Sequence, residues 1–281
     1  MIKRVTLLLL LSSSAIFAQE DDLLKQIDTL STSSDFAPPA FKGLQIVTGQ
    51  STKLAAKGDL YFVVAHRFGD VSEGFKNFFG LDDAATKIGF IYGLSDNLSL
   101  SLSRETFMKT YDAGIKYRII KQSEKFPVEV VGYHTVALNS ELDTDDFPKL
   151  EFANRLSYLS QVLISRRFSE SFSLQLSPSY VHKNLYMPNV DEKDQMLAGF
   201  GGRYKISKRV SINAEYFVNF SDSDVYKNPA SLGLDIETGG HVFQLLFSNS
   251  QINSDIGYLT NATGDWGKGN IYFGFNLYRV F

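Results

Sequence analysis

The sequence predicts an all-β fold: an antiparallel, up-and-down transmembrane β-barrel of about twelve strands. Three observations predict it. Polar and apolar residues alternate in segment after segment; in Leu98-Ser99-Leu100-Ser101-Leu102-Ser103 one strand face is all leucine and the other all serine. The links between these segments alternate short and long. A secretory leader precedes them, and no later run approaches the roughly 18 apolar residues of a spanning helix. A closed barrel with lipid outside and a polar lumen inside accommodates so many two-faced strands without a helical layer to cover them.

The leader is Met1 to Ala18: Lys3 and Arg4 form a basic start, Val5 to Leu11 an apolar core, and Ser12 to Ala18 a small-residue tail. Cleavage is expected near Ala18. Residues 19–56 form a second region, an N-terminal periplasmic helix and linker, or a plug. Within it, Leu23, Leu24, Ile27 and Leu30 fall at helical spacing, and Asp21 and Asp22 suit the start of a helix. Phe41 to Thr52 alternates weakly and reads as an extra strand or a segment folded against the barrel, outside its wall. Residues 57–281 are the barrel.

Strands are expected near 58–67, 84–93, 97–104, 110–120, 126–137, 153–167, 171–183, 194–206, 209–220, 231–237, 240–248 and 270–281. Tyr111, Ala113, Ile115 and Tyr117 oppose Asp112, Gly114, Lys116 and Arg118; Phe172, Leu174 and Leu176 oppose Ser173, Gln175 and Ser177; Val210, Ile212, Ala214 and Tyr216 oppose Ser211, Asn213 and Glu215. A charge facing hydrocarbon costs roughly 2–4 kcal/mol at the midplane, so the charged sets face the lumen. The faces of 58–67 and 126–137 are not legible. Short links at 93–97, 121–125, 169–171, 207–209 and 238–240 alternate with long ones, as in outer-membrane barrels with short periplasmic turns and long outer loops. Tyr and Phe recur near strand ends, as an interfacial girdle requires.

Composition narrows the function. The chain has 281 residues, no cysteine and a formal charge of −3; without the leader it loses two positive charges and no negative one, leaving −5. Disulfides and thiol chemistry are excluded, and nothing suggests a nucleic-acid surface. The terminal Phe281 on an alternating strand resembles the assembly signal of barrel proteins. The run His66-Arg67-Phe68-Gly69, then Phe78-Phe79-Gly80-Leu81-Asp82, Ile88-Gly89, Tyr92-Gly93 and Lys116-Tyr117-Arg118 resembles a family of predicted outer-membrane β-barrels of unknown function from Gram-negative bacteria. The resemblance implies fold and location, and supplies no catalytic residue.

The candidate lumen or constriction residues are His66, Arg67, Phe75, Phe78, Phe79, Asp82, Asp112, Lys116, Arg118, Arg155, Arg203 and Glu215. The link Phe68 to Asp83 carries large apolar side chains that either fold inward to narrow the lumen or pack on neighbouring loops. Lys116, Arg118, Arg155, Arg167, Lys183, Arg203 and Lys205 against Asp112, Glu129 and Glu215 imply a lumen biased positive, or else wall charges that neutralise one another. The outer-loop acids Glu141, Asp143, Asp145, Asp146, Asp191, Glu192, Asp194, Asp222 and Asp224 are candidates to bind divalent cations that bridge lipopolysaccharide. His66, His134, His182 and His241 show no metal-binding spacing, and no Gly-x-Ser-x-Gly is present, so no catalytic residue, metal or cofactor is assigned. The expected function is a narrow passive channel for small solutes in the outer membrane. The alternatives are a non-conducting scaffold for partner proteins, or a barrel-wall lipid hydrolase. Expected partners are outer-membrane lipid and lipopolysaccharide, the barrel assembly machinery, and a periplasmic protein meeting Asp21–Leu30.

Overall fold

The computed structural model describes residues 36–281 apart from 239 and 240. The leader at 1–18 and the segment Asp21–Leu30 lie outside the described residues. Twelve strands follow one another: β1 (Leu60–Asp70), β2 (Ala84–Ser95), β3 (Leu98–Glu105), β4 (Thr110–Ile120), β5 (Glu129–Asn139), β6 (Leu156–Arg167), β7 (Phe172–Lys183), β8 (Asp194–Lys205), β9 (Val210–Asn219), β10 (Ala230–Thr238), β11 (His241–Ser248) and β12 (Tyr272–Val280). Each pairs antiparallel with its chain neighbours. β12 returns to β1, with Tyr61 opposite Val280, Val63 opposite Tyr278 and Ala65 opposite Asn276, and the barrel closes. Closure leaves no free sheet edge, so the backbone groups of every strand have partners within the wall.

The alternation sorts as the period-two reading requires. Leu100 and Leu102 are exposed on the outer surface, and Ser99, one position before Leu100, is buried inside. Strands β7 and β9 repeat the pattern, with Phe172, Leu174, Leu176, Ile212 and Tyr216 outside and Ser173, Gln175, Ser177, Ser211, Asn213 and Glu215 inside. Among the described residues no helix is long and apolar enough to cross a membrane.

The interior contains protein. Residues 40–55 are packed inside the wall, where Phe41, Leu44, Ile46, Val47 and Ala55 are almost wholly buried. Phe41, Ile46 and Val47 meet Leu246, and Leu44 meets Val63 and Tyr278. The segment 41–52 thus forms no strand of the wall and lies within the barrel. A second element joins it: the link after β11 turns inward and forms a short helix, α1 (Asp255–Thr260), whose Ile256, Tyr258 and Leu259 pack with Leu54, Val131, Tyr133, Leu159, Leu163, Val181, Leu197 and Phe217. This core gives β1 and β5 apolar residues on their inner faces, Val63, Ala65, Val131 and Tyr133, as well as their outer ones. Their faces could not be read from alternation for that reason.

The link after β1 behaves differently. Residues 71–80 form a kinked 3-10 segment on the rim, with Phe75 86% exposed and Phe78, Phe79 and Asp82 exposed beside it. Val71 N–H bonds to Ile271 O and Asn77 Nδ2 to Asp83, which tie it to the rim, and a further Asn77 bond to Glu73 is internal to it. The inward constriction comes from 249–264 in place of Phe75, Phe78, Phe79 and Asp82. The inward link has Asn and Ser side chains to satisfy its own buried backbone; the Phe-rich link has few.

Candidate functional site

The lumen site is built around a tight turn at the tip of the inner segment. Ile46 N–H bonds to Gly49 O, Ser51 N–H to Leu44 O, and Gln45 bridges Gln50, so 44–51 doubles back as a miniature hairpin. At its tip three successive amides converge on one carboxylate. Glu215 accepts from Val47 N–H at 3.2 Å, Thr48 N–H at 2.8 Å and Gly49 N–H at 2.9 Å. Tyr258 of α1 donates to the same carboxylate at 2.8 Å. A buried carboxylate wants several donors, and successive amides form a ready anion cradle.

The remaining backbone of the turn is met by inward side chains from around the wall. Gln244 Nε2 donates to Ile46 O at 2.8 Å, Asn276 Nδ2 to Val47 O at 2.7 Å, and Arg67 to Thr48 Oγ1 at 3.1 Å. On the other side, Lys116 Nζ donates to Leu44 O and Ser51 O, each at 3.0 Å. Gln175 is reciprocal, accepting from Thr52 N–H at 3.0 Å and donating to Gln50 O at 2.7 Å. Asp255 of α1 accepts from Gln50 Nε2 at 2.9 Å and Tyr133 OH at 2.6 Å, tying helix, inner segment and wall together. The wall is cut to fit: a Cβ on Gly201 would stand 2.4 Å from Ile46 Cδ1, and one on Gly233 3.2 Å from a Val47 methyl.

Of the residues singled out from sequence, Arg67, Asp112, Lys116, Arg203 and Glu215 lie inside, and all are buried. Asp112 pairs with Lys87 at 3.3 Å, and Arg203 donates to Ser211 at 3.1 Å and Glu237 at 3.2 Å. Arg118 sits at the short-turn end against Glu129 at 2.7 Å. Arg155 sits at the long-loop end, donating to Leu142 O. His66 points outward, stacked on Phe275 at 5.3 Å and bonded to Thr86 Oγ1 at 2.8 Å, so it takes no part in the lumen.

Alternation flagged Gln175 and Asn276 only as lumen lining and left Gln244 between Phe243 and Leu245 unremarked. Asp255 and Tyr258 carry no sequence signal, because they enter from a link. The buried charges are Arg67, Lys116, Lys183 and Arg203 against Glu105, Asp112, Glu129, Glu215, Asp235 and Asp255. With Lys87, which pairs with Asp112 inside, that makes five basic groups to six acidic ones among the described residues, and the lumen is not biased positive. A cavity of about 50 Å³ remains between Lys87, Asp112, Lys116, Tyr133 and Asp255, space for a few waters.

On the outer wall, His134 Nδ1 stands 2.9 Å from Ser160 Oγ, and its Nε2 stands 3.1 Å from Tyr117 OH. At the long-loop end, Asp143 caps its own turn: Asp145 N–H donates to it and holds its carboxyl below the usual range. Among the described residues no three His, Asp or Glu side chains gather as a metal-holding group.

No curated protein matches the chain. Among solved structures, the barrel is similar to the KdgM porin, with a TM-score of 0.49 and 8% identity over 78% of this chain and 99% of that one. It is similar to the COG4313 outer membrane channel from Pseudomonas putida F1, with a TM-score of 0.48 and 14% identity over 82% and 97%. It is also similar to outer membrane phospholipase A from Escherichia coli, with a TM-score of 0.43 and 11% identity over 79% and 90%. Residues 41–281 match the family described as "Membrane bound beta barrel domain (DUF5777)", and with the inner segment and all twelve strands inside that span, the chain belongs to this family of membrane-bound β-barrels.

Proposed function

We propose that the protein is an outer-membrane channel for small solutes, held shut by its own residues 40–55. The short-turn end faces the periplasm and the long links face outward. The apolar outer surface contacts membrane lipid and lipopolysaccharide, and the final strand is what the assembly machinery reads. The observation that carries the reading is how the inner segment is held. Its tip donates to Glu215 and accepts from Gln244, Asn276, Arg67 and Lys116, all polar residues of the wall, while Leu246, Val63 and Tyr278 add the smaller apolar contact that opening gives up. Polar contacts exchange for water at a modest net cost, about 0.5–1.5 kcal/mol each for the amide partners Gln244 and Asn276 and about 1.5–3 kcal/mol for the charged Glu215, Arg67 and Lys116. Twelve strands enclose a bore between that of a side-chain-filled eight-strand barrel and an aqueous sixteen-strand porin.

Planar-bilayer recording tests it. The full chain should be mostly closed, and a variant lacking residues 40–55 should conduct steadily. A silent deletion variant that still shows the heat-dependent gel mobility of a folded barrel defeats the channel and leaves a closed scaffold.

A second reading rests on the Ser160–His134 contact. A serine hydrogen-bonded to a histidine on the lipid-facing wall is the start of a hydrolase site, and polar groups facing lipid are costly unless used or mutually bonded. Tyr117 completes a bonded cluster here, whereas a hydrolase also needs oxyanion donors. Phospholipid hydrolysis by the purified protein that disappears in Ser160→Ala and His134→Ala supports this reading. Its absence removes it.

A further inference from the structure

We propose that the long-loop end carries a recognition site for one small, uncharged, polyhydroxylated solute of the size of a single sugar ring. The inference rests on the channel reading, since it names what that channel takes in. A cavity of about 250 Å³ opens between the link after β7 and the link after β9. At roughly 30 Å³ per water it has room for about eight waters. Its floor is Thr260, the last residue of α1, itself almost fully buried.

The lining is bifunctional. Asn219 Nδ2 donates to Gln195 Oε1 at 2.7 Å, while Gln195 Nε2 donates to Asp191 at 2.5 Å and to Glu192 O at 2.9 Å. The two amides are thus fixed in orientation, yet Asn219 keeps one N–H and Gln195 one lone pair for a guest. Glu192, Asp222 and Tyr226 line the same cavity, with their carboxylates and hydroxyl in no hydrogen bond or ion pair to another described residue. Each hydroxyl of a polyol both donates and accepts, so it can use the carboxylates as acceptors and the amide as donor together.

Charge selects against the ionic alternatives. Asp191 is already matched by Lys183 at 2.6 Å. Glu192 and Asp222 remain against Lys227, which disfavours an anion. A simple ammonium uses only acceptors and leaves the Asn219 N–H and Lys227 without a match. A solute here also touches the helix whose Asp255 and Tyr258 hold the inner segment through Gln50 and Glu215, so recognition and opening share one element.

Calorimetry on the full-length protein in detergent, titrated with D-glucose, D-galactose and D-xylose, and separately with D-glucuronate and D-glucosamine, is the test. At least one neutral sugar should bind with a millimolar Kd, and Asp222→Ala and Glu192→Ala should each weaken it about tenfold. Ser221→Trp, which fills the cavity from an exposed link, should abolish it. No heat from any neutral sugar, tighter binding of either charged sugar, or binding unchanged in all three variants overturns the proposal. Binding in detergent needs no current, so its failure is distinguishable from a silent bilayer.

Discussion

Glu215 on β9 holds Thr48 of the inner segment through a 2.8 Å hydrogen bond that spans 167 residues of chain, and the same carboxylate receives the hydroxyl of Tyr258. One wall residue thereby closes the bore from two directions, against a segment that enters before β1 and a helix that enters after β11. Its acceptors are shared among three backbone N–H groups and one O–H. Glu215→Gln keeps the shape but turns one acceptor into a donor facing donors. The inner segment should lose about 2–4 kcal/mol of docking, and amide exchange at Thr48 and Gly49 should quicken accordingly. Exchange as slow as in the parent shows that Glu215 does not hold the tip.

Gly201 offers an orthogonal perturbation, because it acts by volume and not by polarity. Ile46 Cδ1 occupies the place a Cβ would take. Gly201→Val should force the segment off the wall at an overpacking cost of about 1–3 kcal/mol, raising open probability in bilayers while the barrel stays folded. The Val substitution paired with Ile46→Ala should return the channel to its closed state. An unaltered open probability in the single variant indicates that the segment does not gate.

The wall was legible because each strand carries its own evidence. β3, β4, β7 and β9 face lipid on one side and polar groups on the other, so period two alone assigned Lys116, Asp112 and Glu215 to the interior. A plug was legible only as one alternative for residues 19–56, and its contacts not at all, for a physical reason. Its partners are set by closure, which brings Tyr258 to Glu215 across 43 residues and Tyr133 to Asp255 across 122, and no local pattern encodes such distances. β1 and β5 were ambiguous for the same cause, since Val63 and Val131 are apolar toward a core that alternation does not foresee. The Phe-rich link drew attention by composition, yet its exposed Phe75 shows that apolar content without backbone partners does not bury a loop.

Lys87 and Asp112 form a buried pair, Nζ to Oδ2 3.3 Å, beside the remaining cavity. Asp112 Oδ1 has no partner there, so the carboxylate depends on Lys87 and a 3.3 Å contact from Ser103. Lys87→Met should therefore cost about 3–5 kcal/mol by leaving a buried charge unpaired. The Lys87→Met/Asp112→Leu double variant should recover most of it. Urea titrations of folding into lipid vesicles read both, and a double variant no more stable than the single one refutes the pairing argument.

The outward face is tested at Leu102, which sits between Phe90 of β2 and Ala113 of β4 at mid-strand and is 60% exposed. In a membrane-embedded wall Leu102→Arg meets hydrocarbon and should cost roughly 2–4 kcal/mol. Ser101→Ala, one position along and facing inward, should stay within about 0.5 kcal/mol. The same vesicle-folding titration compares them, and the sign of the difference is informative. If the greasy side met water, arginine there would be harmless; if it met acyl chains, folding should need lower urea and insertion should slow. Equal midpoints for the two variants would place Leu102 in solvent, and a hydrophilic lumen would lose its reason to exist.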